Sequence, residues 1–418
     1  MGKLTTLAEN LIGSEIVKLG NEISERKKKG EHIYNFTIGD FDPNVFPIPA
    51  RLEELIIESY QKHYTNYPPA DGVAELRSAV LDFLKQREGL DYAPNEIMIA
   101  SGGRPLIYTL FKTAVNPGDK VIYAVPSWNN NHYTGMNNAV HCVIETTPEN
   151  NFMPTAADIE PHIKDAALLC LCTPQNPTGT TLNKAELEKI CSLVVEENKR
   201  RQNGEKKLYV MFDQMYWTLT FGNTQHYNPV EINPEMKKYT IFIDGISKAF
   251  AATGVRVGWS VGPAHVIAKM KALLSHIGAW APMAEQKAVA KYLPETRAVD
   301  EWLVSYKQEI NVRLENIYEG LIALKAKGYK VDAIAPQAAI YLTVKFDLAG
   351  STNEEELLRT QEDVTAFLLS EAKLAVVPFY AFGADRNSPW YRLSVGTCHK
   401  EDIPMFLAKL EESLSKLK

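Results

Sequence analysis

Two short apolar runs enclose a polar loop in the segment Thr240–Val261, which reads TIFIDGISKAFAATGVRVGWSV. The two runs predict strands at Thr240–Ile243 and Arg256–Val261. Lys248 stands soon after the first run, and Arg256 follows eight residues later. Both cations have apolar neighbours, which disfavours an interpretation as two surface charges. A lysine and an arginine in this arrangement could together bind an aldehyde and a phosphate.

Outward from this segment, short apolar runs alternate with helical patterns between about residues 95 and 262. After Gly103, for example, apolar residues recur at helical spacing. Such alternation is typical of an α/β fold, with a mostly parallel sheet covered by helices on both faces. Ligands then bind beyond the carboxyl ends of the strands. The other candidate strands are Ile97–Ala100, Lys120–Val125, Ala167–Cys172 and Lys207–Phe212.

The chain length and the later sequence pattern predict more than one domain. A chain of 418 residues can form more than one hydrophobic core. We predict a large domain over residues 51–300 and a smaller α/β domain over residues 301–418. The smaller domain begins with the helical stretch Glu301–Lys327 and continues with the strand-like Ala339–Lys345. The N-terminal segment, residues 1–50, is expected to pack with it.

Composition and charge exclude several classes of protein. The net charge of -6 argues against nucleic acid as the main partner, and no apolar run is long enough to span a membrane. The nine histidines show no metal-binding spacing, so we expect no metal. The five cysteines are scattered and odd in number, which favours reduced thiols in a cytoplasmic protein.

The ends of two further strands carry residues that could do chemistry. Ser101-Gly102-Gly103-Arg104 enters a helix, where backbone N–H groups could bind phosphate. The glycines could equally serve packing alone. Trp128, after the next strand, could cover a planar ring or belong to the core.

Two more strand ends extend the same pattern. Asn176 lies between two prolines, which could hold its amide in one place or form a plain turn. Asp213 follows an apolar run and is costly to bury without a cation, although aspartate is also a common helix N-cap. A phosphate cradle, a ring lid, a fixed amide, a buried acid, a lysine and an arginine are together what pyridoxal phosphate requires.

With these motifs in place, the sequence resembles the class I/II aminotransferases of the fold-type I pyridoxal-phosphate superfamily. The likeness covers nearly the whole chain and is most specific in the lysine-to-arginine motif and in Asn176-Pro177-Thr178-Gly179. It implies a three-layer large domain around a mostly parallel sheet, with a smaller α/β domain. It extends to Asn35–Asp40, Tyr67-Pro68, Pro336–Leu342 and Pro378–Arg392.

The resemblance implies a role for each residue around the cofactor ring. Lys248 would hold the cofactor as a Schiff base and later move the substrate proton. Asp213 would pair with the pyridine nitrogen, so that the ring can accept electrons. Tyr216 and Asn176 would form hydrogen bonds to the 3′-oxygen of the ring, and Trp128 would stack on it.

The resemblance also implies which residues bind the phosphate of the cofactor. Gly102, Gly103 and Arg104 would offer backbone N–H groups, and Arg256 would pair with the phosphate directly. Tyr67 would reach the phosphate of a partner subunit, which implies a homodimer with shared active sites.

The implied reaction moves an amino group from an amino acid to a 2-oxo acid, with 2-oxoglutarate as the expected acceptor. Arg392 would hold the substrate α-carboxylate in a bidentate fork, beside Asn176 and the Gly39 backbone. Aspartate is the first candidate donor, because aspartate aminotransferases are common among the similar proteins. The sequence shows no arginine for its distal carboxylate.

Three segments depart from the family pattern. Gly245 stands where many relatives have a phosphate-binding serine. The polar run Asn129–His132 favours a polar or acidic substrate side chain, but it could also be a solvated loop. The segment Ser275–Pro282 contains His276, Gly278 and Trp280 where relatives often show small polar residues. The last two departures leave the substrate open.

Two other functions remain open on the same scaffold. One is a β-eliminating lyase, because the cofactor carries the difficult chemistry and the pocket only steers it. The other is a non-catalytic sensor module attached to a DNA-binding domain, which the acidic charge disfavours.

Overall fold

The computed structural model describes residues 4–10, 15–202, 204–353 and 356–418. Its helices, labelled in chain order, are α1 (Thr6–Asn10), α2 (Glu15–Lys28), α3 (Ala50–Gln61), α4 (Ala74–Glu88), α5 (Gly103–Ala114), α6 (Asn130–Met136), α7 (Ala156–Ile163), α8 (Lys184–Arg200), α9 (Pro229–Ile232), α10 (Ile246–Ala249), α11 (Ala264–Ile277), α12 (Met283–Tyr292), α13 (Thr296–Ala326), α14 (Gln361–Ser370) and α15 (Asp402–Leu414). Within these described residues, no helix combines the length and the apolar character needed to cross a bilayer.

The strands form two larger sheets and two short pairs. In chain order they are β1 (Tyr34–Asn35), β2 (Ile97–Ala100), β3 (Lys120–Val125), β4 (Val140–Glu145), β5 (Ala166–Cys172), β6 (Tyr209–Asp213), β7 (Thr240–Gly245), β8 (Gly258–Val261), β9 (Val331–Ala333), β10 (Tyr341–Phe346), β11 (Thr352–Asn353), β12 (Glu356–Leu357), β13 (Leu374–Ala375), β14 (Val377–Pro378) and β15 (Trp390–Ser394).

The larger sheet has seven strands in the order β2-β8-β7-β6-β5-β3-β4. The pairings from β7 through β4 are parallel, whereas β8 is antiparallel to both of its neighbours. Because β8 begins at the edge where the other strands end, the residues before β8 meet the residues after β7. This reversal brings Arg256 to the same edge as Lys248.

Helices cover both faces of this sheet. On one face α5 packs against α11, and their apolar side chains join those of the strands in one buried cluster. On the other face α8 contributes Leu187, Ile190 and Val194 to the main core. The central strands are apolar on both sides, as expected where helices bury each face of a parallel sheet.

A second sheet, antiparallel and of four strands, has the order β14-β15-β10-β9. The N-terminal segment joins this part of the molecule, because β1 pairs in parallel with β13 and the Ser394 N–H donates to Phe36 O at 2.9 Å. The division into domains stays a prediction. Its boundary between residues 300 and 301 lies inside α13.

The predicted fold class, a mostly parallel α/β sheet with helices on both faces, is confirmed. Strands β2 and β3 have the predicted bounds, and the others differ by one to a few residues. No sequence pattern predicted β4. That strand lies at the sheet edge with mostly exposed side chains, so it lacks the apolar run that marks the buried strands.

Candidate active site

A cavity of about 700 Å³ opens at the carboxyl edge of the larger sheet. Its wall is shared by residues after β6 and β7, by the loop 37–40 and by β10 and β15 of the smaller sheet. Most of the residues predicted for the cofactor and the substrate lie in this wall. They are Gly39, Gly103, Arg104, Trp128, Asn176, Asp213, Tyr216, Lys248, Arg256 and Arg392.

Lys248 lies in the short helix α10, directly after β7. Its Nζ donates a hydrogen bond to the Gly39 carbonyl at 2.7 Å. Burial lowers the pKa of the Lys248 amine to about 8. The Asp40 carboxylate opposes this pKa shift, whereas the arginines of the cavity add to it. The amine is therefore partly neutral near physiological pH, as a nucleophile requires.

This pKa predicts how the cofactor-free protein captures pyridoxal phosphate. Only the neutral amine attacks an aldehyde, so the capture rate should rise with pH around a midpoint near 8. In Asp40→Asn the carboxylate no longer favours the protonated amine, and the midpoint should fall by roughly half a unit. Stopped-flow absorbance measures the rate. Asp42→Asn is the control, and equal midpoints in the two variants would contradict the prediction.

Asp213 ends β6, in register with Cys172 of β5. In the described part of the chain its carboxylate has no ion-pair partner, and its Oδ1 accepts a backbone hydrogen bond from Met215 at 3.1 Å. Burial raises the pKa of Asp213 to about 6. A carboxylate in such a place is stabilised by a cation, and a protonated pyridine nitrogen in the cavity would supply one.

Arg392 lies in the middle of β15 and is almost fully buried, at 1% exposed. Its Nη1 donates to Asn176 Oδ1 at 3.0 Å, and its Nη2 donates to the Thr37 carbonyl at 2.6 Å. Its Nε has no partner, and no carboxylate among the described residues pairs with the guanidinium. Burial lowers the pKa of Arg392. A buried guanidinium without an acid is a site for an anion from the cavity.

Arg256 and Gly102 fit closely together at the start of α5. The Arg256 guanidinium donates to the carbonyls of Thr253 at 2.6 Å and Ser101 at 2.8 Å. Gly102 has a φ of +86°, and a Cβ there would lie 2.3 Å from the Arg256 Nη2. Only glycine is compatible with this contact. The helix N-terminus and the arginine together form a cradle suited to phosphate.

Packing between strands also requires glycine at position 245. A Cβ at this position would lie 2.7 Å from the Gly258 Cα, in the paired strand β8. The close approach of β7 and β8 therefore leaves no room for the serine that many relatives carry here. Ser247, next to Lys248, lies in the cavity wall instead.

The remaining ring and amide groups border the same space. The Arg104 guanidinium lies 5.4 Å from the centre of the Trp128 ring. Asn176 is mostly buried in the cavity wall, and its amide oxygen accepts a hydrogen bond from Arg392. The Tyr216 hydroxyl lies 2.6 Å from that of Tyr341.

Two groups with predicted roles at the site contribute little or nothing to the cavity wall. Tyr67 is 83% exposed, packs edge-on against Trp280 at 5.4 Å and does not line the cavity. Of the polar run Asn129–His132, only Asn130 lines the cavity, and its amide donates to Ser127 Oγ at 3.2 Å. The run forms the start of α6 rather than a loop that faces the substrate.

Several cavity residues had no predicted role. Tyr341 is one of the most buried of them, and the likeness of Pro336–Leu342 to the family was the only sequence signal for it. The others come from segments far apart in the chain, so their spacing carries no motif. They include Ile16, Gly20, Thr37, Ile38, Asp40, Cys172, Ser247 and Thr253.

A family model described as aminotransferase class I and II matches residues 31–410, which is most of the chain. This chain belongs to that family. The aminotransferase is 31% identical to an aspartate aminotransferase of Bacillus sp. (strain YM-2), over 91% of this chain and 92% of that protein. It is 27% identical to an aspartate aminotransferase of Geobacillus stearothermophilus, over 94% of this chain and 95% of that one.

The fold comparison agrees. The structure of the aspartate aminotransferase from Thermus thermophilus with maleate has a TM-score of 0.87 and 26% identity to this aminotransferase, and the match covers 99% of this chain and 100% of that one. The predictions of fold class and of transaminase activity are therefore confirmed. These relatives favour neither the lyase nor the sensor. Membership of the family implies pyridoxal phosphate, and the roles of single residues stay predictions.

Proposed function

We propose that this aminotransferase holds pyridoxal phosphate on Lys248 and takes the amino group from a dicarboxylic amino acid, with 2-oxoglutarate as the acceptor. One observation carries the substrate class. Three guanidinium groups line one cavity with the lysine, and none has a carboxylate partner among the described residues. With Arg256 assigned to the phosphate, those of Arg392 and Arg104 remain for the substrate. An α-carboxylate and a distal carboxylate would satisfy both.

Three parts of the cavity wall suit different parts of the cofactor. The cradle of Gly102 and Arg256 suits the phosphate, and the unpaired carboxylate of Asp213 suits the ring nitrogen. Trp128 borders the space between them. When bound, pyridoxal phosphate supplies an electron sink for the electrons left on the substrate α-carbon.

Two residues of the chain handle protons in this proposal. Asp213 keeps a proton on the ring nitrogen, because a buried carboxylate is stabilised by the resulting positive charge. Lys248, with its amine free, would move the proton between the substrate α-carbon and the C4′ carbon of the cofactor. Its lowered pKa lets the amine act first as base and then as acid near neutral pH.

Arg392 orients the substrate. Its two Nη atoms are already held by Asn176 and Thr37, so the guanidinium presents a fixed fork to a carboxylate. Fixing the carboxylate limits how the substrate α-carbon can lie relative to Lys248. Positioning of this kind lowers the entropic part of the barrier.

Arg104 is proposed to bind the distal carboxylate of the substrate. The side chain lies in the cavity wall, while its backbone at the start of α5 stays available to the phosphate. The related proteins named above are aspartate aminotransferases, and the Thermus thermophilus structure contains maleate, a dicarboxylate. Both facts support aspartate as the donor.

Arg104→Gln tests this substrate class. We expect kcat/KM for aspartate to fall about tenfold to a hundredfold, the usual worth of a charge-assisted hydrogen bond. With alanine, which lacks a distal carboxylate, the loss should be much smaller. Steady-state kinetics with both amino acids measure the difference. Lys112→Gln, an exposed cation on the same helix outside the cavity wall, is the control. Equal losses for aspartate and alanine would contradict the proposal.

The reaction type has its own test. Purified enzyme mixed with aspartate and no 2-oxo acid should release one equivalent of oxaloacetate and retain the amino group. Free ammonia in that mixture would instead support elimination.

Assembly and location are proposed on separate grounds. Large apolar side chains are exposed on α3 and α11 and at Tyr67, including Ile57, Tyr60 and Ile277. We propose a homodimer in which such surfaces meet and Tyr67 reaches the phosphate site of the partner subunit. The five cysteines are all unbridged, which supports a cytoplasmic location.

A further inference from the structure

Tyr341 touches three groups that the proposed function uses. Its side chain is buried, and its hydroxyl lies 2.6 Å from the Tyr216 hydroxyl. The Arg392 guanidinium lies over its ring, 4.8 Å from the centre. A Cβ on Gly39, whose carbonyl accepts the Lys248 hydrogen bond, would lie 3.0 Å from the Tyr341 hydroxyl. One side chain of the smaller sheet thus contacts the cofactor side and the carboxylate side of the cavity.

We propose that Tyr341 is a positioning residue for both sides. Its hydroxyl donates to Tyr216 and so turns the Tyr216 proton toward the ring oxygen of the cofactor, while its ring fixes the plane of the Arg392 fork. This inference rests on the proposed function, because it assumes that the cofactor ring lies beside Tyr216.

The direction of the hydrogen bond between Tyr341 and Tyr216 follows from the number of protons on the two hydroxyls. Burial raises the pKa of Tyr216 and of Tyr341, so both phenols keep their protons near neutral pH. Within the described residues each hydroxyl has only the other as its hydrogen-bond partner. If Tyr216 donated to Tyr341, it would have no proton left for the cavity. A ring oxygen there therefore selects the arrangement in which Tyr341 donates.

A donated hydrogen bond also makes Tyr216 a better donor. Hydrogen bonds in a chain polarise one another, by roughly 10–30% per bond. The stronger bond from Tyr216 would withdraw electron density from the ring oxygen and lower the basicity of the nitrogen that links Lys248 to the cofactor. Tyr341 would thus act on the cofactor without touching it.

The ring of Tyr341 has a separate effect. A guanidinium packed over an aromatic ring loses freedom to rotate, so its fork keeps a narrower range of orientations. The face of Phe382 also lies near the Arg392 guanidinium, at 4.9 Å. The two rings limit the fork to a narrow range of planes, and its hydrogen bonds to Asn176 and Thr37 fix it within that range.

Two substitutions separate these effects in the holoenzyme. In Tyr341→Phe the hydroxyl is lost and the ring remains, so the pH midpoint of the visible absorbance change should rise by roughly half a unit, with KM little changed. In Tyr341→Leu the ring is lost as well, and KM for the amino acid should also rise roughly threefold to tenfold. Tyr391→Phe is the control, since Tyr391 is equally buried in β15 but bonds to Gln361 Oε1 at 3.0 Å outside the cavity wall.

The outcomes are distinct. A midpoint in Tyr341→Phe equal to that of the wild type and of Tyr391→Phe would overturn the role of the hydroxyl, whether or not Tyr341→Leu folds. An unchanged KM in a folded Tyr341→Leu that retains the cofactor would overturn the role of the ring. A wild-type protein without visible absorbance would overturn the proposed function itself. A normal wild-type spectrum with unshifted variants would overturn this inference alone.

Discussion

Replacing Lys248 with alanine should reduce transamination by at least about a thousandfold. The substitution removes both the amine that holds the cofactor and the base that moves the substrate proton. Lys248 is the lysine in the wall of the cavity, and its pKa near 8 suits both tasks. Steady-state kinetics and the absorbance of the purified protein measure the loss.

Borohydride trapping gives an independent check of the attachment site. Reduction of the wild type followed by peptide mass spectrometry should place the cofactor on Lys248, and the alanine variant should remain unlabelled. Lys307→Ala is a matched control, because burial also lowers the pKa of Lys307 but its side chain is outside the cavity wall. Label on any other lysine of the wild type would refute the assignment.

Replacing Arg392 with alanine should lower kcat/KM by about 10²–10³, since a buried charge-assisted pair of this kind is worth about 3–4 kcal/mol to its partner. Most of the loss should fall on KM. The substrate carboxylate is held both before and during the reaction, so most of the interaction is uniform binding, and the lost positioning of the α-carbon lowers kcat by a smaller factor. Arg392→Lys should give an intermediate value, because lysine keeps the charge but not the fork.

The stability of the Arg392 variant should behave differently from its kinetics. In the described residues Arg392 has no acid partner, so alanine leaves no carboxylate unpaired, and the cofactor-free protein should lose less stability than when Arg313 is replaced. Arg313 is the contrast. It is similarly buried but pairs with Glu309 at 2.9 Å and donates to the Cys398 carbonyl at 2.7 Å. Arg313→Ala should lower the melting temperature while KM stays near the wild-type value. A normal KM in Arg392→Ala would exclude it as the carboxylate site.

Much of the larger sheet could be predicted from sequence because its signals are local. A strand that is buried between helices has a continuous apolar run, which can be recognised without knowing the rest of the fold. Strands β2 and β3 have the bounds predicted for them. Edge strand β4 was missed because water, rather than a helix, faces most of its side chains.

The residues of the candidate site also divide into those that local sequence signals predicted and those that they did not. Lys248, Asp213 and Asn176 lie at the ends of strands or a few residues after them. The carboxyl ends of parallel strands share one edge, so the meeting of these residues could be predicted from their order along the chain. Arg256 could be placed with them only by the motif, because its position depends on the reversed direction of β8. Tyr341 could not be assigned a role, since nothing near it in sequence marks a site.

The sequence alone determined the chemistry at the ends of the strands. It places a lysine, an acid and a helix that begins with glycine at one edge of a sheet. The tertiary structure decided which of the side chains are left without partners. Arg392 and Asn176 are 216 residues apart, and Tyr216 and Tyr341 are 125 apart. Such pairs form only where the two sheets pack together. Whether a buried charge is satisfied depends on every neighbour in space, which local spacing does not encode.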